Sequence, residues 1–350
     1  MKVSIFTTLF YVFLMSHFLS AVSPGKMVIT GFKGTSPDDP QVIALKERID
    51  AEKIGGIILF KRNILDKDQL VNLVQYLTKD ASIFVAIDHE GGIVNRLTDS
   101  SFNLKTPSPE RFCKLNPSQQ NKIASTIATN LSELGINLNL GGVVDIAPLI
   151  YPSSICRYKR CFSSDQSQIT TCNQVLFNAH KQENIFFSLK HFPGHGSTPI
   201  DSHYYLPDIT KHHSDYDYMP YHKLLKNNSS PYMMVMIGHL MIKDIDPNLP
   251  ASLSKKHIDI LKKKLNYNGL VITDDLNMGA LYKVSRNKSV IARKAVLAGN
   301  DLLLFEYLTL NEIDDIYNTL TKKTNQSEEF LANVNKSSIK IEGNLSLNDR

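Results

Sequence analysis

Residues 268–275 read Asn268-Gly-Leu-Val-Ile-Thr-Asp-Asp275. The run Leu270 to Thr273 is apolar or β-branched without alternation, and it stops at two carboxylates. A short continuous run of that kind suits a strand covered on both faces in a parallel sheet. Comparable runs recur on either side of it. They span Met27–Phe32, Gly56–Phe60, Ile83–Asp88, Asn137–Ile146, Phe186–Phe192, Tyr232–Leu240, Leu270–Asp274 and Asp301–Phe305. Between them lie stretches with helical spacing. Leu70, Leu73, Val74 and Leu77 follow i, i+3, i+4, i+7, as do Ile123, Ile127, Leu131 and Leu134; Ile258, Leu261 and Leu265 do likewise, with Ser254 expected to cap their helix. Eight strands alternating with helices over roughly 300 residues predict a single-domain α/β protein, a closed (β/α)8 TIM barrel, with an open doubly wound sheet as the alternative. No GxGxxG follows the first strand, so the usual dinucleotide site is not expected.

The chain has 350 residues, 42% hydrophobic and 21% charged, with 17 Gly and 15 Pro, which excludes collagen-like and low-complexity classes. Its net charge of +5 is spread along the chain without a Lys/Arg block, so no nucleic-acid partner is expected. Lys2 followed by the uncharged apolar stretch 4–20 and the small residues Ala21-Val22-Ser23 reads as a secretory signal peptide or N-terminal anchor. Pro24 disfavours cleavage after Ser23, which leaves membrane association through an uncut anchor as the alternative to release. Export, to a periplasmic or secreted location, is the expectation, with a cytoplasmic one as the alternative. The four cysteines, Cys113, Cys156, Cys161 and Cys172, have no zinc-type spacing; in an oxidising compartment Cys156 and Cys161 would brace one loop, and four unlinked thiols are the other reading. The expected organisation is residues 1–23 as signal or anchor, 24–322 as the barrel domain, and 323–350 as a polar C-terminal helix and tail. A monomer is the default.

A barrel of this kind carries its chemistry on the loops after its strands. Here four predicted strands stop at ionisable residues. The third ends at Asp88-His-Glu-Gly-Gly92 with Arg96 beyond, and the fifth at Lys190-His-Phe-Pro-Gly-His-Gly196, leading to Asp201-Ser-His203. The sixth ends at Gly238-His239 and the seventh at Asp274-Asp275. Any one of these could be a solvated strand end; four converging on one rim predict a site. Pro193, Gly194, Gly196 and Pro199 make 190–203 a loop, and its histidine spacings do not match a helix that presents two ligands on one face, so no metal is expected. Asp201 lies two residues before His203, close enough to orient its imidazole for proton transfer. Asp274, on a rigid strand end, can attack an electrophilic carbon and form an ester. Asp275, facing the other way, is expected to stay out of the chemistry.

The segment from Ile260 through Gly269-Leu-Val-Ile-Thr-Asp274-Asp-Leu-Asn277 resembles the active-site signature of glycoside hydrolase family 3. Lys190–Gly196 with Asp201-Ser-His203, and Asp88–Gly92 with Arg96, are similar to the single-domain bacterial branch acting on β-N-acetylglucosaminides. The resemblance runs in order from about residue 27 to 307. It implies Asp274 as nucleophile, His203 as general acid/base and Asp201 as its partner, a pairing unlike the two carboxylates of most retaining glycosidases. It further implies that Asp88, Arg96, Arg160, Lys190 and His191 bind hydroxyls of the terminal sugar, with no cofactor and a carbohydrate as substrate. Three positions depart from the family's pattern: Tyr158-Lys-Arg-Cys-Phe162 only loosely matches its Gly-x-Arg-Ser-Phe, Ile93 stands where Arg is frequent, and Ser197 where Asp is frequent. The activity implied is retaining hydrolysis of terminal β-linked N-acetylglucosamine from muropeptide or chitin-derived saccharides. A β-glucosidase or β-xylosidase on the same barrel, and a sugar-binding protein without turnover, are the alternatives.

Overall fold

The computed structural model describes residues 23–148, 153–227 and 230–347; the apolar segment read as a signal or anchor lies outside them. Eight parallel strands form one sheet: β1 (Val28–Thr30), β2 (Gly56–Leu59), β3 (Phe84–Ile87), β4 (Leu138–Val143), β5 (Phe186–Phe192), β6 (Met233–Ile237), β7 (Val271–Thr273) and β8 (Leu303–Phe305). They pair in sequence order from β1 to β7, and β8 lies against the other edge of β1. A parallel bridge between Ile272 and Leu302 joins the two ends, with the Thr273 N–H donating to the Leu302 carbonyl at 3.0 Å. The sheet thus curls to near closure as a (β/α)8 barrel. Every predicted apolar run contains its strand, and every strand residue is buried, as continuous apolar patterning requires when helices cover one face and the barrel interior the other.

Among the described residues, ten α-helices lie between and after the strands: α1 (Pro40–Asp50), α2 (Lys67–Thr78), α3 (Pro109–Cys113), α4 (Pro117–Glu133), α5 (Gln166–Gln182), α6 (Met219–Asn227), α7 (Lys255–Asp259), α8 (Lys288–Ala298), α9 (Leu310–Thr324) and α10 (Glu328–Leu345). In α2 the spacing works as read. Leu70, Leu73, Val74 and Leu77 are all buried, each worth about 1.5–3 kcal/mol of transfer energy, and the Asp66 carboxylate caps the helix by accepting the Gln69 N–H. The expectation for Ser254 is corrected. It occupies the N-cap position of α7 but makes no capping bond, because its hydroxyl donates to Asp246 Oδ2 at 2.7 Å. That short helix runs directly into a π-helical turn, Ile260–Lys264.

The C-terminal segment, expected as a polar helix and tail, holds a helix with a buried apolar face. Residue 322 falls inside α9, and the following α10 buries Phe330, Val334, Ile341 and Leu345, with Lys340 donating to the Gly269 carbonyl and to the Asp301 carboxylate.

All four cysteines pair, Cys113 with Cys172 and Cys156 with Cys161. The first bridge ties α3 to α5 across a separation of 59 residues. Closing a loop that long in the unfolded chain is worth about 4 kcal/mol on entropic scaling. A Cys113→Ser/Cys172→Ser variant is therefore expected to lose about 2–4 kcal/mol of stability. Urea unfolding measures this directly, and an unchanged midpoint would refute it.

Candidate active site

The strand ends predicted to converge do meet. A cavity of about 380 Å³ opens at the C-terminal mouth of the barrel and is lined by Asp88, Arg96, Arg160, Lys190, His191, His203 and Asp274. Ile58, Met236 and Leu304 form part of its apolar lining. The volume lies within the range of small-ligand sites. Asp201 stands one step behind, bonded to His203.

One wall is an ion-pair chain. The Lys190 ammonium, buried on β5, donates to Asp88 Oδ1 at 2.9 Å and pairs with Glu90 Oε1 at 2.6 Å. Glu90 in turn accepts two bonds from the Arg160 guanidinium, Nε and Nη2 each at 2.8 Å. Arg96 approaches Asp88 at 3.6 Å and lies over the Phe60 ring. Burial alone would push the Glu90 carboxyl up, but Arg160 and Lys190 hold it far below the carboxylate range. Lys190 is pushed the other way: burial disfavours its charge, Asp88 and Glu90 more than compensate, and its pKa is raised. A buried charge tolerated this way needs every partner in place. The wall presents Asp88 as an acceptor and Lys190 as a donor at the cavity surface.

Opposite stands Asp274, immediately after β7. Its backbone N–H donates to Ile237 on β6 at 2.9 Å, and its Oδ1 accepts the N–H of Asp275 at 2.9 Å. Burial raises its pKa, but the His191 and His239 imidazoles and that N–H bring it down to about 2. The carboxylate is anionic throughout the neutral range. His191 donates Nδ1–H to Asp145 Oδ2 at 2.6 Å, so Nε2 is the nitrogen left for the cavity. His239, kept neutral by burial, donates Nε2–H to the Asp275 carbonyl at 2.8 Å while Nδ1 faces the Ser252 hydroxyl at 2.7 Å. It fixes the backbone next to Asp274.

His203 rides on the loop after β5. Gly196 allows that loop to lie on the chain, since a Cβ there would come within 2.1 Å of the Ile146 carbonyl oxygen. The His195 N–H donates to Asp145 Oδ1 at 2.6 Å, and His195 Nε2 meets the Ser202 hydroxyl at 2.9 Å. The loop is also seated on the segment that follows Asp274: the Gly279 and Ala280 N–H groups donate to the carbonyls of His203 and Ser202. At its tip the His203 side chain is 63% exposed, with Nδ1 bonded to Asp201 Oδ1 at 2.7 Å. A carboxylate can only accept, so Nδ1 carries the proton and Nε2 is the nitrogen free to exchange one.

Sequence reasoning assigned no role to Glu90, Asp145 or His239, although each sits at a strand end. Asp145 was detectable by a signal like the one that marked Asp274, a carboxylate at the end of an apolar run. Asp275 does not turn away from the cavity; it is part of the lining. Its Oδ1 accepts the N–H groups of Asn277 and Glu306 at 3.0 and 2.7 Å. Burial, with Asp274 and Glu306 adding to it, raises its pKa to about 7, past the opposing pull of those two bonds. In the unfolded chain the same carboxyl ionises near pH 4. Between about pH 4 and 7 the folded state therefore holds the extra proton and stability falls as pH rises. An Asp275→Asn variant, whose amide oxygen can still accept both N–H groups, is expected to raise Tm by about 2 °C or more at pH 8 and to leave it nearly unchanged at pH 4. Calorimetry at the two pH values checks this, and a lower Tm at pH 8 would contradict it.

Known proteins match this arrangement along nearly the whole barrel. The model of the glycosyl hydrolase family 3 N terminal domain matches residues 37–341. A beta-hexosaminidase of Bordetella pertussis is 30% identical over 276 residues, which cover 74% of this chain and 75% of that protein. Beta-hexosaminidase A of Pseudoalteromonas piscicida is 31% identical over 263 residues, 68% of this chain; the chain spans less than half of that protein, 43%. A family 3 beta-N-acetylglucosaminidase of Paenibacillus sp. str. FPU-7 superposes over 93% of this chain and 62% of its own, with a TM-score of 0.78 and 25% identity. Because the family match spans the strands that bear the carboxylates and the loop that bears the imidazole, the chain belongs to glycosyl hydrolase family 3.

Proposed function

We propose that the chain is a retaining exo-glycosidase that releases terminal β-linked N-acetylglucosamine. The observation that carries this reading is the pairing, in one cavity, of an anionic carboxylate on a rigid strand end with a carboxylate-backed imidazole on a loop. Asp274 attacks the anomeric carbon with the oxygen not held by the Asp275 N–H. The bond to the departing oxygen breaks as His203 Nε2 delivers a proton to it, leaving a glycosyl-aspartate ester. Water then attacks the same carbon, His203 takes its proton, and the sugar and a free Asp274 carboxylate are regenerated. Asp201 stabilises the imidazolium in the first step and fixes its tautomer in the second. Asp88, Lys190, Arg160, Arg96 and His191 hold the sugar. The Asp88 carboxylate and Lys190 ammonium are rigid and charged, so their bonds to hydroxyls are strong ones.

The names of the relatives, beta-hexosaminidases and a beta-N-acetylglucosaminidase, support the amido sugar over glucose or xylose. A 2-fluoro glycoside should label the protein by one sugar mass on the peptide containing Asp274, and a nitrophenyl β-N-acetylglucosaminide should be cleaved in preference to the β-glucoside. Absence of the adduct, or a label elsewhere, overturns the assignment; a preferred glucoside overturns the specificity.

We also propose that the protein works outside the cytoplasm. Two disulfides that use all four cysteines are the pattern of an oxidising compartment. Alkylation of the protein freshly extracted from its source should find no free thiol, and four labelled cysteines would refute export.

A further inference from the structure

We propose that the Cys156–Cys161 disulfide is a positioning element for the sugar-binding wall, so that its reduction weakens substrate binding while leaving the catalytic pair intact. The inference rests on reading this cavity as the glycosidase site. Its starting point is the departure already noted: Cys161 stands where the family pattern has Ser, directly after Arg160.

The bridge closes a turn of six residues whose tip, Arg157 to Lys159, is exposed and whose Lys159 adopts φ +60°. Both ends of the turn are anchored. The Cys156 N–H donates to the Ser153 hydroxyl at 3.1 Å. Beyond Cys161, the Phe162 ring packs edge-on against Phe112, and the Ser163 carbonyl accepts the Ala147 N–H. Between these anchors a single side chain leaves the turn for the cavity, and it is Arg160. Without the bridge, the turn keeps the Ser153 hydroxyl bond, its own backbone bonds from the Arg157, Tyr158 and Lys159 N–H groups to the Ser153, Ile155 and Cys156 carbonyls, and the Glu110 N–H donating to the Lys159 carbonyl at 3.3 Å. All of these end at or before residue 159, one short of Arg160.

The consequence travels along the ion-pair chain. The Glu90 side chain is 0% exposed, and Arg160 supplies two of its bonds. If the guanidinium drifts, Glu90 is left as a buried carboxylate with Lys190 as its remaining cation. Lys190 already stands closer to Glu90, 2.6 Å, than to Asp88, 2.9 Å. The stronger pull of an under-compensated Glu90 draws the ammonium off Asp88, and the hydroxyl-binding pair loses its geometry. Asp274, Asp201 and His203 are held by other loops. The stretch of chain before the turn does touch the His203 loop, through the Ser154 N–H to the Thr198 carbonyl at 2.8 Å and the Ser154 hydroxyl to His195 Nδ1 at 3.4 Å, but those bonds lie on the far side of Cys156 from Arg160. The expected signature is therefore in KM rather than kcat. The chemistry of the switch is a two-electron exchange. An external dithiol gives two electrons and two protons to the S–S bond, yielding two cysteine thiols, and is itself oxidised to a disulfide.

The experiment uses the full chain and nitrophenyl β-N-acetylglucosaminide. A Cys156→Ser/Cys161→Ser variant is expected to raise KM about 10-fold with kcat within about two-fold of wild type, the scale at which small misplacements of binding groups are felt. Wild-type protein treated with dithiothreitol, with reduction of this bridge verified by alkylation and peptide mass, should show the same rise. The KM of the variant should not change further with the reagent. An Arg160→Lys variant should raise KM by itself, and removing the bridge in that background should add nothing, since both act through one side chain. Unchanged KM after verified reduction, a fall confined to kcat, or additive effects with Arg160→Lys would each overturn the proposal. Titration calorimetry with N-acetylglucosamine reads the affinity loss without turnover. A wild-type protein that binds this sugar but cleaves no glycoside would therefore sink the functional reading alone, leaving the bridge to be judged on binding.

Discussion

Asp274→Asn is expected to lower kcat by about 10⁴-fold or more on every substrate, the scale at which removing a nucleophile from an intact site is felt. The substitution is close to isosteric. An asparagine oxygen can still accept the Asp275 N–H, which Asp274 Oδ1 now accepts at 2.9 Å, and the backbone bond to Ile237 is untouched. Thermal unfolding of the variant should therefore stay near that of the wild type, which separates loss of chemistry from loss of fold. The deficit should be as severe with a dinitrophenyl leaving group as with a sugar, because a good leaving group helps the bond that breaks and does nothing for the bond that must form. The adjacent carboxyl does not substitute for it. Asp275 has one oxygen tied to two backbone N–H groups, and its pKa of about 7 keeps much of it protonated at neutral pH. Steady-state rates on the two substrates check the prediction, and near-wild-type turnover of either would remove Asp274 from the mechanism.

That the place of Asp274 could be read from sequence has a physical cause. The strands of this barrel are buried on both faces, so most announce themselves as largely apolar runs, and the ionisable residues at the C-terminal end of a run must lie at the barrel mouth. Asp88, Lys190 and Asp274 were legible for that reason. Arg160 was legible only through the resemblance, because it sits on an irregular turn whose direction depends on a disulfide and on a partner, Glu90, 70 residues away. Asp145 and His239 act through other groups: one orients His191 and the 195 backbone, the other grips the Asp275 carbonyl. Both positions stand at strand ends, but their roles have no local spacing that names the groups they act on. Ser254 failed for a similar reason. Its local rule is a helix cap, in which the hydroxyl oxygen accepts an N–H, but Asp246, eight residues earlier, is a charged acceptor for its O–H, and the side chain orients to make that charge-assisted bond and makes no capping bond. The Cys113–Cys172 bridge was equally hidden, since only the docking of α3 on α5 brings the two sulfurs together.

His203→Ala is expected to divide substrates by their leaving groups. Where the departing oxygen belongs to an unactivated sugar, it cannot leave without a proton, and kcat/KM should fall by about 10²–10⁴-fold, the contribution of a positioned general acid. With a dinitrophenyl glycoside the oxygen leaves as an anion, so the first step should be nearly unimpaired. The second step then fails, because no base takes the proton from water. The glycosyl-aspartate ester should accumulate, visible as a burst of the phenolate followed by slow turnover and as a sugar adduct on the peptide containing Asp274. A small anionic nucleophile such as azide needs no deprotonation and should restore turnover of that substrate while giving the glycosyl azide. Asp201→Asn should show the same pattern in weaker form, since an amide oxygen can still receive the Nδ1 proton but no longer stabilises the imidazolium. The side chain is 63% exposed and its loop is held through backbone carbonyls and His195, so neither substitution threatens the fold. If His203→Ala slowed activated and unactivated substrates alike, with no ester accumulating and no response to azide, the proton would have to come from another group. The separation of roles between this imidazole and Asp274 would then be wrong.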